Sequence, residues 1–361
     1  MPSLADSSYT EAIPAGFQRD ISAPSYEVAK LIWYGLARAV RTRYNYPQRQ
    51  YELFCIQYFP DSPAWPVTEI KLAAWIAFKL DGPLSQRIKG STASIYLSAL
   101  RSYHVDRFWA APDQVFNSPT IKRMISGSID LYGNLKKDRL PITFDILTQV
   151  TASRPTNPRD FNLRACYLVA FAGFMRLGEI TYNSTDQPGS ARFTQTKVTR
   201  GSIKFSPNYD HARLILPRSK TDVKKQGVSI MLAATPDAPG TCPVRALRQL
   251  FEKDPQPLNA PLFNHSGKAF TRLVVQAALR NDLQRLGLNP LGYSLHSIRK
   301  GAAQHAKDSG IRDDQIQVLG RWTSECFKKY FEYSDATLYA YSSYFQTGRP
   351  LPFGIVPHNL G

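Results

Sequence analysis

Apolar positions recur three and four apart through residues 25–133. Residues 25–41 carry them at Val28, Leu31, Ile32, Leu36 and Val40, the stripe of an amphipathic helix. A second helix starts near Pro47, whose missing N–H is tolerated in a first turn, and holds Tyr51, Leu53, Phe54 and Tyr58. Thr68 caps a third, through Ile70, Leu72, Trp75, Ile76 and Leu80. Ser91 caps a fourth, through Ile95, Leu97, Leu100 and Tyr103, and Ser118 a fifth that runs to about Leu131. Short Pro, Gly and Ser breaks separate these segments, which predicts a small all-helical domain. Residues 1–24 are polar, contain Pro2, Pro14 and Pro24 and lack sustained periodicity. They read as a flexible arm.

A charged stretch at residues 134–142 reads as a linker. Beyond it, Thr143 caps a short helix, and residues 160–175 predict a longer one, nearly all apolar from Ala165. A helix apolar on every side is a buried helix. The period then changes to two. Residues 198–205, 212–217 and 227–233, with Ile203, Phe205, Leu214, Leu216, Val228 and Ile230 alternating, predict short strands. Helical periodicity returns at 243–252, 270–286, 296–308, 312–319 and 324–332. The fold class is therefore multidomain α and α+β: an all-helical N-terminal domain, then a mainly helical domain with a small antiparallel sheet.

Composition adds a partner. The 361 residues are 43% hydrophobic, enough for two domains with cores of their own. The formal charge is +17 and the isoelectric point about 9.7. Both halves are net basic, the second more so, which points to a polyanion and most simply to nucleic acid. Cys55, Cys166, Cys242 and Cys326 are far apart; they form neither a metal site nor a disulfide framework and suit a reducing interior. The first residues lack a signal-peptide pattern. The longest apolar run, from Ala165 to Met175, has 11 residues, short of the roughly 18 needed to span a bilayer, so no membrane partner is expected.

Candidate chemistry lies in the second half. Arg176 closes the apolar run, and Glu179, three residues on, shares its helical face. His296 and Arg299, also three apart, are placed to set an imidazole and a guanidinium beside one phosphate. Lys220 sits in a basic turn between two predicted strands, with Arg218, Lys224 and Lys225, and can reach a DNA groove and protonate a leaving oxygen. Trp322 offers an indole N–H and a packing ring. Tyr330 follows eight residues later, a phenol that nearby arginines and a histidine base would make easier to ionise. Tyr333 is its nearest rival, and Lys300 is a further DNA contact. Breaking a DNA strand without metal or nucleotide needs such a set: a nucleophile, fixed cations on the phosphate oxygens and a proton donor for the departing 5′ oxygen.

In this order the residues resemble the tyrosine recombinase (phage integrase) family. The resemblance covers about 25–130, similar to the helical core-binding (SAM-like) domain, and about 140–345, similar to the catalytic domain. It matches Arg176, Lys220, His296, Arg299, Trp322 and Tyr330 to the catalytic set and Glu179 to the acidic neighbour of the first arginine. Many phage and bacterial members place the tyrosine nine residues after the His/Trp position, where this chain has Phe331. The run Leu-Gly-Arg-Trp-Thr-Ser-Glu-Cys-Phe-Lys-Lys-Tyr, with Leu140-Pro141-Ile142-Thr143 ahead, resembles the Crypton and DIRS recombinases of eukaryotic mobile elements, which use the shorter spacing. The resemblance implies the DNA breaking-rejoining enzyme fold as a clamp on duplex DNA, a 3′-phosphotyrosyl intermediate and no metal or cofactor. It implies a homo-tetramer on two duplexes that exchanges C-terminal helices, here residues 335–345. The implied domains are an arm to 24, core-binding 25–133, linker 134–142, catalytic 143–346 and tail 347–361. The implied compartment is a nucleus in a eukaryote, or cytoplasm and nucleoid in a bacterium. Two rivals use the same residues: a catalytically inactive DNA-binding protein of this fold, and a type IB topoisomerase-like enzyme that nicks and reseals one strand.

Overall fold

The computed structural model describes residues 26–107, 109, 112–132, 139–152, 157–217 and 227–331. The chain divides between Lys136 and Lys137 into two compact units.

The secondary-structure elements among the described residues of the first unit are all helices: α1 Tyr26–Gly35, α2 Arg38–Tyr58, α3 Glu69–Asp81, α4 Gly90–Asp106, α5 Pro112–Phe116 and α6 Pro119–Tyr132. Its core collects Tyr51, Phe54, Leu72, Trp75, Ile76, Leu100 and Ile121, with the Tyr51 ring edge-on to Trp75 at 5.3 Å. Thr68 caps α3 by accepting from the Lys71 N–H, and Ser118 Oγ accepts from the Thr120 N–H at 3.1 Å. Two expectations change. The helix expected over 25–41 breaks after Gly35, and Pro47 lies inside α2 rather than in a first turn. A proline there removes one helical hydrogen bond, but Pro47 is buried and the next residue is tied to α4, Gln48 Nε2 donating to the Ala99 carbonyl at 2.8 Å. Tertiary contacts hold a helix that local chemistry would interrupt. Helix α4 begins one residue before Ser91, with Lys89 at the cap, and α5 has no expected counterpart.

The second unit is built on α8. In order it contains α7 Phe144–Ala152, α8 Pro158–Ala172, α9 Leu177–Ile180, α10 Ala191–Thr196, the strands β1 Ile203–Phe205, β2 His211–Leu216 and β3 Val228–Ala233, α11 Pro243–Lys253, the two-residue strands β4 Asn264–His265 and β5 Lys268–Ala269, α12 Arg272–Arg285, α13 Ser297–Asp308, α14 Asp313–Gly320 and a 3-10 turn Glu325–Tyr330. Asn157 caps α8, its Oδ1 accepting from the Asp160 N–H at 3.0 Å, and Pro158 fits the first turn. Every residue from Ala165 to Phe171 is buried, because α7, α11 and α13 all pack against α8. The sheet runs β1-β2-β3 and is antiparallel, with Ile203 opposite Leu214 and Leu214 opposite Ile230. Those three side chains are buried, while Arg213 and Ile215 are exposed between them, the alternation of a sheet with one face on a core.

Here too some expectations change. The region expected as strand from 198 opens with a 3-10 turn at Arg200–Ser202. The segment expected as a helix over 324–332 is a 3-10 turn. Helix α8 stops at Ala172, three residues before the end of the apolar run. Of the stretch read as a linker, residues 139–142 are bonded into the second unit: Leu140 N–H donates to the Gly292 carbonyl and Ile142 N–H to the Ser297 carbonyl, each at 2.9 Å. No helix among the described residues is long and apolar enough to cross a membrane.

The Ile142 bond anchors the start of α13, and Gly301 permits it. A Cβ on Gly301 would lie 1.8 Å from the Ile142 carbonyl oxygen, a backbone atom that cannot swing aside. In an open helix Gly→Ala stabilises by about 1 kcal/mol. Here Gly301→Ala is expected to destabilise by at least ~1–3 kcal/mol through overpacking, read as a lowered denaturant midpoint of the full chain.

Candidate active site

Two helix ends make the site. Helix α8 closes with the Phe174 N–H on the Phe171 carbonyl at 3.1 Å and the Met175 N–H on the Ala170 carbonyl at 2.8 Å. Such a closure needs a left-handed residue, usually glycine. Here Phe174 takes it, at φ 48°, at a cost of about 1–2 kcal/mol. Helix α14 closes with the same pair of bonds, Arg321 N–H on Val318 and Trp322 N–H on Gln317, both 3.0 Å, and the left-handed residue is Arg321, at φ 56°. In both cases the glycine, Gly173 or Gly320, comes one residue early.

Arg299 joins the two ends. From the first turn of α13 it donates Nη1 to the Phe174 carbonyl and Nη2 to the Gly320 carbonyl, the latter at 2.6 Å. It is 1% exposed. The Trp322 ring covers its guanidinium at 4.2 Å and stacks on Phe327 at 5.2 Å. Gly320 is required by that ring, since a Cβ there would lie 1.6 Å from it.

The chain leaving Phe174 delivers Arg176 to the head of α9. Glu179 folds back to accept from the Arg176 backbone N–H at 3.0 Å and pairs with its Nη1 at 3.3 Å. The Arg176 side chain is 41% exposed and that of Glu179 12%. His296 immediately precedes α13, and its Nε2 lies 2.7 Å from the Tyr330 hydroxyl at the end of the 3-10 turn.

Charge shapes these groups. Burial, and then the charge of Arg176, lowers the Arg299 pKa to about 10, so it stays cationic at neutral pH. Desolvation lowers that of His296, helped by Arg299, Arg176 and Lys329, and its ring is neutral at pH 7. The phenol of Tyr330 differs from expectation. Arg299 and Arg176 do favour its ionisation, but burial outweighs them and its pKa is raised. The pair is a protonated phenol against a neutral imidazole, which can accept its proton.

The fold thus gathers Arg176, Glu179, His296, Arg299, Trp322 and Tyr330. Lys300 instead donates Nζ to the Arg139 carbonyl at 3.2 Å. Arg218, Lys220, Lys224, Lys225 and Tyr333 lie outside the described residues, as does the 335–345 segment. One residue was missed. Arg321 donates Nη1 to the Gly173 carbonyl at 2.9 Å and Nη2 to Glu179 Oε2 at 3.1 Å. Its signal was a charged residue wedged between a helix-ending glycine and an aromatic in Gly320-Arg321-Trp322.

Solved structures share this architecture. The Tn1549 transposon integrase in complex with transposon right end DNA superposes with a TM-score of 0.57 over 89% of this chain and 99% of that one, at 10% identity. The XerH site-specific recombinase bound to palindromic difH substrate, in a post-cleavage complex, superposes with 0.52 over 80% and 76%, at 14% identity. The chain has the tyrosine recombinase fold. No family model and no curated protein matches the sequence.

Trp322 is the ring that covers Arg299. Trp322→Ala removes the cover from Arg299 and opens a cavity against Phe327 and Phe174. The expected loss is ~3–5 kcal/mol, measured by chemical denaturation of the full chain.

Proposed function

We propose that this chain is a site-specific DNA recombinase that cuts and rejoins strands through a 3′-phosphotyrosyl bond on Tyr330. The observation that carries the reading is the 2.7 Å approach of Tyr330 Oη to His296 Nε2, beside two arginines whose charges act on both groups. In the reading, Tyr330 Oη attacks phosphorus while its proton passes to His296 Nε2. The Oη–P bond forms, the P–O5′ bond breaks, and the 5′ oxygen takes a proton from Lys220. A 5′ hydroxyl of another strand reverses the step. Arg176, 41% exposed, holds the non-bridging oxygens, a role worth about 3–4 kcal/mol for a single well-aimed donor, and the buried charge of Arg299 adds a fixed field beside it. Guanidinium groups neutralise the developing charge, so the reading calls for no metal or nucleotide cofactor.

The partner is double-stranded DNA, which suits a chain of charge +17 and accords with the DNA in both neighbouring structures. The eight-residue step from Trp322 to Tyr330 supports an origin in a mobile element of the Crypton or DIRS kind, and with it work in a nucleus. The same reading makes residues 25–133 the core-binding domain, 143–346 the catalytic domain and 347–361 a tail. It also makes the working form a homo-tetramer on two duplexes, with residues 335–345 exchanged between protomers.

The test is recovery of SDS-resistant protein–DNA adducts from cells expressing the chain. Wild type is expected to give adducts, and sequencing the attached DNA then supplies the target. Tyr330→Phe is expected to give none, and adducts from it would move the nucleophile to Tyr333. On the recovered target, Arg176→Ala and Arg299→Ala are expected to slow cleavage by about 10²–10³ with a smaller loss of binding.

The pH dependence follows from His296. Only the neutral ring accepts a proton, and its pKa lies below the usual 6.5. The adduct-forming rate is therefore expected to hold as pH falls through 6.5 and to decline only at lower pH. A decline centred at or above 6.5 would remove His296 as the proton acceptor.

A further inference from the structure

Two guanidinium groups, Arg176 and Arg321, bond one carboxylate, Glu179, with the charge of Arg299 nearby; burial first, and the charge of Arg176 as well, lowers the pKa of both Arg299 and Arg321. Arg176 and Arg299 have roles in the chemistry above. Arg321 has none. It is four-fifths buried, and its backbone is in a conformation that glycine adopts without strain. A helix end alone would be made better with glycine. An arginine there is explained by what its side chain holds.

We propose that Arg321 is a positioning residue for the phosphate site, acting on Arg176 through Glu179. The inference rests on reading this cluster as a phosphate site. Glu179 has two oxygens to share. Oε1 pairs with Arg176 Nη1 at 3.3 Å, and Oε2 accepts from the Arg176 backbone N–H at 3.0 Å and from Arg321 Nη2 at 3.1 Å. Arg321 is itself anchored on the Gly173 carbonyl, the last turn before Phe174. Its second bond therefore fixes Oε2 relative to the end of α8. Released from Arg321, Glu179 is free to turn both oxygens onto the Arg176 guanidinium in a two-pronged pair. That pair would occupy the donors a phosphate needs. Arg321 keeps the carboxylate divided and leaves Arg176 open, 41% exposed, toward solvent.

The test uses the full chain and inorganic phosphate, titrated at constant ionic strength and followed by calorimetry, with unfolding temperature as the control. R176A is expected to weaken phosphate binding, since it removes the open guanidinium. R321G is expected to weaken it about tenfold or more, on the scale of a lost hydrogen bond to a charged group, while unfolding at or above the wild-type temperature. R321K keeps the charge but replaces the fork with a single ammonium, and it is expected to weaken binding too. If R321G does not fold, R321K decides alone. Wild-type affinity in R321G or in R321K would overturn the positioning role and leave the phosphate site standing. Absence of saturable phosphate binding by wild type, or binding indifferent to R176A, would remove the site itself, and the phosphotyrosyl reading with it.

Discussion

A guanidinium 1% exposed to solvent is the constraint on which the second unit's site depends. An unpaired buried charge costs several kcal/mol, so Arg299 must find acceptors wherever the fold puts it. It finds two backbone carbonyls, Phe174 and Gly320, the last groups of helices far apart in sequence. Both carbonyls are free because each helix closes with a left-handed residue that turns the chain away. The bond energy is mutual. The helix ends supply acceptors to the charge, and the charge fixes the distance between the helix ends. Arg176, two residues beyond one end, and the turn bearing Tyr330, shortly after the other, inherit their separation from Arg299.

Burial then divides the arginines by task. Arg299 is locked under Trp322 and has little freedom to move, so its charge is a fixed part of the field in the site. Arg176 is open and can meet a ligand. Fixed donors around a developing charge need no reorganisation when it appears, and an open one gives access. The same burial acts on the proton pair. It holds the proton on Tyr330 and keeps it off His296, leaving the phenol protonated and the imidazole free to receive. On the phosphotyrosyl reading proposed above, such a phenol would attack only when its proton has somewhere to go.

Much of this fold was legible because period and capping agree in the long helices. Thr68, Ser118 and Thr143 cap where their spacing to the apolar stripe places them, and the buried run from Ala165 announces the central helix. The sheet was legible from alternation at Leu214, Leu216, Val228 and Ile230. What was not legible depends on contacts distant in sequence. Pro47 continues a helix because Gln48 is held by another helix, and residues 139–142 join the second unit because Gly301 leaves room for a carbonyl. Helix α8 stops at Ala172 although Phe174 and Met175 continue the apolar pattern, because Phe174 takes the left-handed conformation and Arg321 and Arg299 take the carbonyls of Gly173 and Phe174 just beyond the helix. Of the candidate site, Arg176, Glu179, His296, Arg299, Trp322 and Tyr330 were legible as residue types in order. Arg321 escaped because the groups that give it a task, the Gly173 carbonyl and Glu179, lie 148 and 142 residues away in sequence, and the resistance of Tyr330 to ionisation escaped because burial is a property of the folded chain.

The early glycine at the end of α14 has a steric cause. A glycine near a helix end is ordinarily read as the left-handed residue. At α14 the glycine is needed one place earlier, for a different purpose: the Trp322 ring lies where a Cβ of Gly320 would be. Sterics claim the glycine, and the left-handed position falls to the next residue. That residue is Arg321, and its backbone strain is offset by bonds to the Gly173 carbonyl and to Glu179. The closeness of Trp322 to Gly320 is also what puts its ring over Arg299. One steric demand therefore accounts for the covered arginine, the strained one and the divided carboxylate between them.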